Sequence, residues 1–195
     1  MNVDGFRFAG LSCGIKKSGK ADLGVILAKE PVACAGVFTT NQVVAAPVVQ
    51  SRARLNERNM ARVIIVNSGN ANACTGTRGE ADARQMAALI AGAVGCVPLD
   101  VQVCSTGVIG APLPMEKIET GIPLLLEQLS DDGLDDFADA ICTTDTHRKV
   151  RSSQVHVGER TITVAGASKG AGMIHPNMAT MLGFLVTDAP ISPED

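Results

Sequence analysis

The chain has 195 residues, 46% of them hydrophobic and 19% charged, and its formal net charge at pH 7 is −3. This composition supports a packed core. Because it includes neither a basic cluster nor an apolar run of about 18 residues, it argues against nucleic-acid binding and against a membrane span. There is no Trp or Tyr to stack on bases or sugars. The six cysteines lack a CxxC spacing and the chain opens without a signal peptide, so we expect reduced thiols, no metal and a cytoplasmic location.

The N-terminal part of the chain is rich in β-branched residues and predicts short strands. Leu23–Lys29 and Val32–Thr39 are expected to be two strands on either side of a turn at Glu30-Pro31. Val43–Val49 is predicted to be a further extended segment, broken by Pro47.

A buried strand is predicted at Arg62–Val66, which reads RVIIV. The loop that follows, Asn67–Gly76, reads NSGNANACTG and carries several amide side chains. Such amides can hold a loop backbone in place or bind a polar ligand, and composition alone favours the structural turn. The loop is not a phosphate-binding P-loop, because no GK[ST] follows its glycines.

The clearest predicted helix is Glu80–Val94, which Gly95 is well placed to end. Its apolar face is predicted to contain Ala83, Met86, Ala87, Ile90 and Val94, with Glu80, Asp82 and Arg84 outside that face. A short strand at Val101–Cys104 comes next and runs into Ser105–Gly110. The glycines in that segment can direct backbone N–H groups into a cleft, as in an oxyanion hole, although ordinary turns share the pattern.

The second half of the chain is predicted to contain two helices and a hairpin. Met115–Leu129 is expected to be an amphipathic helix that Gly121 and Pro123 kink or interrupt. A short helix at Leu134–Cys142 follows, and its TTDT continuation can act as a cap or a turn. The hairpin is formed by 149–157 and 160–165 and turns at 158–159.

Strands outnumber helices in this prediction, and helices come between groups of strands rather than after each strand. We therefore expect an α+β fold, layered, with mixed or antiparallel sheets. No GxGxxG opens a helix, which disfavours a dinucleotide-binding fold.

A last strand is predicted from Met178 to Val186, and Thr180 lies where an irregular glycine-rich loop enters it. A hydroxyl in such a constrained place can attack the carbonyl of the preceding residue and form an ester, which water then cleaves. The new N-terminal residue would keep its hydroxyl as nucleophile and could use its own α-amine, with a pKa of about 7.7, as base. From the residues alone, Thr180 is more simply an ordinary strand residue.

Seven segments change this interpretation: GVFTTN (Gly36–Asn41), AAPV (Ala45–Val48), NSGNANACTG (Asn67–Gly76), CSTGVIG (Cys104–Gly110), LPMEKI (Leu113–Ile118), TTDT (Thr143–Thr146) and KGAGMIHPNMATMLGF (Lys169–Phe184). In this order they resemble the ornithine acetyltransferases, the glutamate N-acetyltransferases of arginine biosynthesis. The resemblance extends over nearly the whole chain. It implies the self-processing acyltransferase fold of DmpA and its relatives, which superficially resembles that of the N-terminal nucleophile hydrolases.

The resemblance assigns catalytic roles to a few residues. Self-cleavage would separate Ala179 from Thr180, and Thr180 would then be the nucleophile. Thr106 and Gly107 match the pair that stabilises the oxyanion.

Thr143 and Lys169, together with Thr180, match residues that bind the amino-acid substrate. From composition alone, Lys169 would be a solvated loop lysine. The three histidines, His147, His156 and His175, are general-base candidates by residue type. None matches a catalytic position of the family, and each is expected to be structural or exposed.

The reaction implied by the resemblance is ping-pong transfer of an acetyl group from N2-acetylornithine to glutamate through an ester on Thr180. It requires neither a metal nor an organic cofactor. Some members of the family also accept acetyl-CoA as the donor, a point on which the residues of this chain are neutral.

Precursors of the family carry a second segment of comparable size after the nucleophile. The resemblance therefore implies that residues 1–179 are an α-chain domain and that 180–195 are the start of a β chain, incomplete without the C-terminal half. The implied assembly is an α2β2 heterotetramer. Residues 1–195 alone are expected to be inactive.

Two other functions are compatible with the same residues. A self-processing aminopeptidase or amidase of the same fold would pass the acyl group to water instead of glutamate. Alternatively, the chain could belong to a non-catalytic subunit that is never cleaved. The TTDT and KGAG segments favour the acetyltransferase over the amidase.

Overall fold

A computed structural model of the chain describes residues 2–170 and 178–194. The elements of these residues are, in order, β1 (Phe6–Leu11), β2 (Leu23–Ala33), α1 (Ala46–Glu57), β3 (Met60–Asn70), α2 (Gly76–Val94), β4 (Val101–Val108), α3 (Met115–Glu127), α4 (Leu134–Ile141), β5 (Lys149–Val157), β6 (Arg160–Lys169) and β7 (Leu182–Thr187). The predicted α+β class is confirmed. No helix in the described part of the chain is long and apolar enough to cross a membrane.

The strands form one mixed and one antiparallel sheet. The first sheet has the order β1-β2-β3-β4, in which β1–β2 and β2–β3 are antiparallel and β3–β4 are parallel. The second is an antiparallel meander, β5-β6-β7. Because β3 and β4 run in the same direction, their C-terminal ends, Asn67–Asn70 and Ser105–Val108, lie side by side.

The first sheet buries both of its faces, and β3 shows how. Alternate side chains of a strand point to opposite faces. Val63 and Ile65 pack with α2 and α3 on one face. Val66 packs on the other face, in a cluster that includes α4 and the second sheet. The chain is therefore layered, with α4 joining the two sheets.

Two phenylalanines mark the junction between α4 and the second sheet. Phe137 of α4 is fully buried and meets Phe184 of β7 edge-to-face, with ring centroids 5.2 Å apart. This geometry suits the quadrupoles of the two rings. It holds β7, and the turn that precedes β7, against the first sheet.

The extended segment predicted at Val43–Val49 is wrong, because α1 begins at Ala46. Pro47 lies in the first turn of this helix, where its fixed φ and missing N–H are well tolerated. The helix lies along β4, and the Ser51 hydroxyl donates to the Val103 carbonyl (2.9 Å) and accepts from the Val103 N–H (3.1 Å). Ser51 therefore takes the place of a neighbouring strand at the edge of the sheet.

The second strand predicted at Val32–Thr39 is wrong: residues 34–39 are not in a strand, and Val32-Ala33 belong to the end of the first strand, β2, which continues through Glu30-Pro31. Its register with β3 shifts between Leu27 and Val32, and Val32 then pairs with Ala61. Pro31 lies within this irregularity, where its lack of an N–H breaks no regular ladder. The predicted turn is a bulge.

Of the two effects predicted for Gly121 and Pro123, an interruption is ruled out, because α3 continues through both. Two smaller predictions were also wrong. Asp82 of α2, predicted to be outside the apolar face, is 8% exposed. The last strand begins at Leu182 rather than Met178, and only alternate residues of it are buried.

Two adjacent leucines of α3 give a test of this packing. Leu125 is fully buried in the cluster under the first sheet, whereas Leu124 is 54% exposed. We expect Leu125→Ala to lower the free energy of unfolding by about 2–5 kcal/mol, because it leaves a cavity. Urea denaturation of the full-length protein measures the change.

The matched control is Leu124→Ala, which removes the same atoms from the same helix. It should shift the urea midpoint little. Equal losses for the two variants would contradict the orientation of α3 described here.

Candidate functional site

Thr180 lies in a turn, Met178–Thr180, that leads directly into β7. Met178 has a left-handed backbone with φ 63°, which is uncommon for a residue other than glycine. The Oγ1 atom of Thr180 is buried and has no hydrogen-bond partner among the described residues. Leaving a buried hydroxyl unpaired costs about 1–3 kcal/mol, so such a group calls for an explanation.

The end of β6 lies against this turn. Lys169 pairs with Leu182 across the β6–β7 ladder. A Cβ atom added to Gly170 would be 3.2 Å from the Thr180 carbonyl oxygen and 3.1 Å from the Met181 Cα. Gly170 also has φ +123°, which strongly favours glycine. The peptide after Lys169 can therefore approach Thr180 closely.

Asp145 joins the segment after α4 to this pair of strands. Its side chain is 1% exposed and accepts hydrogen bonds from Lys149 Nζ (2.6 Å), the Gly170 N–H (3.1 Å) and the Thr143 N–H (3.3 Å). Burial by itself raises the pKa of Asp145, but these hydrogen bonds and the charge of Lys149 outweigh it and lower that pKa below its usual range. Thr143, Gly170 and Thr180 thus belong to one connected group.

Lys169 is 5% exposed, so the solvated loop lysine expected from composition is wrong. Burial lowers the pKa of its ammonium group and the charge of Lys149 lowers it further, whereas Asp145 and Cys142 raise it. These interactions place Lys169 beside the segment that contains Thr143. A buried cation here can hold a carboxylate of a small ligand.

Thr106 and Gly107 lie at the C-terminal end of β4. Thr106 is 7% exposed and shares a sheet face with Cys104, which packs against the cluster that contains Leu182 and Phe184. That face looks toward the second sheet. Gly107 has φ +134°, and a Cβ atom on it would overlap the Gly69 carbonyl carbon of β3. Only glycine permits this contact.

Amide side chains hold the neighbouring end of β3 in place. Asn67 Nδ2 donates to the Asn70 carbonyl (2.9 Å), and Ser105 Oγ donates to Asn67 Oδ1 (2.5 Å). Asn70 Nδ2 donates to the Ala111 carbonyl (3.1 Å), and Asn70 Oδ1 accepts from the Asn72 N–H (2.8 Å). The asparagines of NSGNANACTG therefore hold the backbone in place. The loop predicted at Asn67–Gly76 is wrong over its first four residues, which continue β3.

Lys16 connects the Gly107 region with the Thr143 region, and no local pattern predicted this. A Cβ atom on Gly69 would be 3.0 Å from the Lys16 Cγ, so the lysine stem covers Gly69 on β3. The Lys16 ammonium group donates to the carbonyl of Cys142 (2.6 Å), the residue before Thr143. In sequence, Lys16 is one of several lysines in a turn-rich loop.

The histidine candidates contribute little to this group. His147 and His156 are exposed and pair with the hydroxyls of Thr146 and Thr161, each at 3.0 Å. His175 lies outside the described residues. Within 2–170 and 178–194, no group of three His, Cys, Asp or Glu is arranged to hold a metal ion.

Comparison with known proteins identifies the family. Residues 7–195 match the ArgJ family. The chain belongs to the ArgJ family. It is 52% identical over 194 residues to the arginine biosynthesis bifunctional protein ArgJ of Geobacter sulfurreducens, covering 100% of this chain and 49% of the relative. The corresponding protein of Rhodopirellula baltica is 52% identical over 192 residues, covering 97% and 47%. The chain thus spans about half the length of these curated relatives.

Two solved structures share its fold. The arginine biosynthesis bifunctional protein ArgJ of Bacillus halodurans superposes with a TM-score of 0.84 at 40% identity, covering 92% of each chain. The ornithine acetyltransferase of Mycobacterium tuberculosis, solved with ornithine, gives a TM-score of 0.80 at 38% identity, covering 92% of this chain and 94% of the other. These ArgJ relatives agree with the α+β fold described above.

The Asp145 junction predicts a characteristic pH dependence. Asp145→Asn should lower the free energy of unfolding by about 1–3 kcal/mol at neutral pH, because it removes a charged acceptor from three donors. A carboxyl whose folded-state pKa is depressed stabilises the protein above its unfolded pKa of about 3.9, and loses that effect as pH falls toward the folded value. The difference from wild type should be constant above about pH 5 and shrink below about pH 4.

Chemical denaturation at several pH values measures this difference. Asp131→Asn is the control, because Asp131 is exposed. It should change stability little at any of these pH values. A difference in stability between wild type and Asp145→Asn that grows on acidification would contradict the depressed pKa of Asp145.

Proposed function

We propose that the full-length protein transfers an acetyl group from N2-acetylornithine to glutamate through an ester on Thr180, formed after self-cleavage between Ala179 and Thr180. The observation that carries the proposal is the buried Oγ1 of Thr180, which has no hydrogen-bond partner within 2–170 and 178–194 and lies in a turn beside Lys169 and the Asp145 junction. An unpaired hydroxyl in a tight turn suits a nucleophile better than a strand residue. Membership in the ArgJ family supports the same interpretation.

Self-cleavage requires attack within the turn. The Thr180 hydroxyl adds to the Ala179 carbonyl carbon and loses its proton, and the Ala179–Thr180 C–N bond then breaks as the nitrogen takes up a proton. The chain is now joined through an ester and the α-amine of Thr180 is free. Water then hydrolyses the ester to a carboxylate on Ala179 and the hydroxyl of Thr180. Ala179 is exposed, so water can reach this ester.

Acetyl transfer uses the same hydroxyl twice. Thr180 Oγ1 attacks the amide carbonyl of N2-acetylornithine, its proton passes through the α-amine to the departing ornithine nitrogen, and an acetyl ester remains. The neutral α-amine of glutamate then attacks the ester carbonyl, the bond between the acetyl carbon and Thr180 Oγ1 breaks, and Oγ1 takes up the proton that the glutamate nitrogen loses. N-acetylglutamate leaves and the Thr180 hydroxyl is restored. Thr106 and Gly107 would donate to the oxyanion in each step. No metal or organic cofactor takes part in this scheme.

Substrate recognition would come from the buried cation. Lys169 would bind the α-carboxylate of ornithine or glutamate, and Thr143, held by Asp145 beside the end of β6, would complete the contact. A charge-assisted bond to a carboxylate is roughly twice as strong as a neutral hydrogen bond. The Mycobacterium tuberculosis relative, an ornithine acetyltransferase solved with ornithine, supports an amino-acid ligand.

The lengths of the relatives that this chain covers support a single precursor that is cleaved into two chains. This chain spans about half of the curated relatives but more than nine-tenths of two solved chains. Cleavage of a longer precursor would give this difference. We assign residues 1–179 to the α chain and 180–195 to the start of the β chain, in a cytoplasmic α2β2 assembly, with residues 1–195 inactive alone. Acetyl-CoA is an alternative donor.

Two alternatives differ in measurable ways. An amidase of the same fold would release free acetate or an amino acid whether or not glutamate is present, and the buried Lys169 favours an amino-acid acceptor instead. A non-catalytic subunit would keep the Ala179–Thr180 bond intact. Transfer of the acetyl group to glutamate would exclude the amidase. Cleavage of the chain at Ala179–Thr180 would exclude the non-catalytic subunit.

Thr180→Ala in the full-length protein should abolish both self-cleavage and acetyl transfer, because no hydroxyl remains to attack Ala179. Intact mass with N-terminal sequencing should show two wild-type chains, one beginning with Thr180, and one uncleaved variant chain. Thr120→Ala is the control, since the exposed Thr120 hydroxyl donates within α3, to the carbonyls of Glu116 (2.9 Å) and Lys117 (3.2 Å). A wild type that stays as one chain would refute the mechanism.

Thr106→Val should lower kcat about 100- to 1,000-fold, because it removes one oxyanion donor while keeping the volume of the side chain. Thr106→Ser keeps the hydroxyl and should retain most of the activity. Steady-state kinetics with N2-acetylornithine and glutamate measure both variants. If valine and serine behaved alike, the hydroxyl would have no part in stabilising the oxyanion.

A further inference from the structure

Lys16 is held in one position by the loop between β1 and β2. Asp22 is fully buried, and its carboxylate accepts from the N–H groups of Cys13 (2.7 Å) and Lys16 (2.8 Å). The Asp22 carbonyl also accepts from the Ser68 N–H of β3 (2.8 Å). The loop is thereby closed on itself and fastened to the first sheet, which leaves the backbone of Lys16 little freedom.

The ammonium group of Lys16 binds two carbonyl oxygens. One belongs to Ala21 in its own loop and the other to Cys142, each at 2.6 Å. Cys142 is the C-cap residue of α4, where a cation also interacts favourably with the helix dipole. Thr143 follows immediately, so the charge-assisted bond fixes the point from which the Thr143–Asp145 segment leaves the helix.

The aliphatic stem of Lys16 reaches the other part of the site. Together with Ile15, it fills the space where Gly69 would carry a Cβ atom: the Lys16 Cγ and the Ile15 Cγ2 each lie 3.0 Å from that position. The backbone of Gly69 in turn lies against Gly107. One side chain therefore contacts both the β3 support of Gly107 and the start of the Thr143 segment.

Burial is the main reason that the pKa of Lys16 is lowered, and Lys20 and Lys169 lower it further, whereas Asp22 and Cys142 raise it. The hydrogen bonds of the Lys16 ammonium group go to two backbone carbonyls, so this group acts on the backbone and not on a ligand.

We propose that Lys16 is a positioning residue for acetyl transfer, which fixes Thr143 through the Cys142 carbonyl and supports Gly107 through Gly69. The inference rests on the proposed function, because the residues that Lys16 would align are those proposed to bind the substrate and the oxyanion. Lys16 itself does not touch the substrate. A purely structural cap on α4 would affect folding but not the substrate affinity of the folded enzyme.

The test compares Lys16→Met, Lys16→Gln and Lys17→Met in the full-length, self-cleaved protein. Methionine keeps a stem over Gly69 but loses the charge and the donors, whereas glutamine keeps an N–H donor. Lys17 is exposed, so Lys17→Met is the matched control in the same loop. The measurements are the cleaved fraction by intact mass, and KM and kcat for glutamate in acetyl transfer from N2-acetylornithine.

We expect the KM for glutamate to rise about 10- to 100-fold in Lys16→Met, the size of a lost charged hydrogen bond, with the cleaved fraction as in wild type. Lys16→Gln should give a smaller rise, and Lys17→Met should match wild type. KM does not depend on the fraction of active protein, so partial misfolding cannot imitate this result. If Lys16→Met does not fold, the KM for glutamate of Lys16→Gln decides whether the inference holds.

An unchanged KM in both Lys16 variants, with or without a lower kcat, would overturn the inference while leaving the proposed function in place. It would reduce Lys16 to a structural cap. If wild type cleaves itself but does not transfer acetyl to glutamate, the proposed function fails and this inference fails with it. Activity of the wild type is therefore measured in the same series.

Discussion

The carboxylate of Asp145 is the contact on which the candidate site depends. It is buried and accepts from a lysine ammonium group and from the backbone N–H groups of Thr143 and Gly170. These donors come from the segment after α4, from the start of β5 and from the residue after β6. The strands β5 and β6 are also paired in the second sheet, and Asp145 ties the segment after α4 to both of them. Because a buried carboxylate without donors is strongly unfavourable, these three parts of the chain must stay together in the folded protein.

The other part of the site depends on backbone contacts that only glycine allows. Gly107 on β4 lies against Gly69 on β3, and Gly69 in turn leaves room for the stem of Lys16. Buried amide bonds from Asn67 and Asn70 keep this end of β3 from moving away. Rigid support of this kind suits a site whose donors must be in place before charge develops on the reacting oxygen.

Much of the fold could be predicted from local pattern. The helix ending at Gly95, the strand that becomes β3 and the hairpin of β5 and β6 all have clear periodicity, and each was confirmed. Predictions from the sequence pattern were wrong at two prolines, because proline is compatible with more than one local conformation. Pro47 begins a helix instead of breaking a strand, and Pro31 lies in a bulge instead of a turn, because the neighbouring β4 edge and the β3 partner decide which conformation is stabilised.

The sequence by itself determined the α+β class and the family, because both follow from the order of elements and from motifs read along the chain. It also marked Thr180, Thr106 and Lys169 as candidates. Only the tertiary structure decided that Lys169 is buried, that Asp145 joins Thr143 to Gly170, and that Lys16 reaches both Cys142 and Gly69. The physical reason is that burial and hydrogen-bond partners come from segments far apart in the chain, 25 residues for Asp145 and Gly170 and 126 for Lys16 and Cys142, and no local pattern records such pairs.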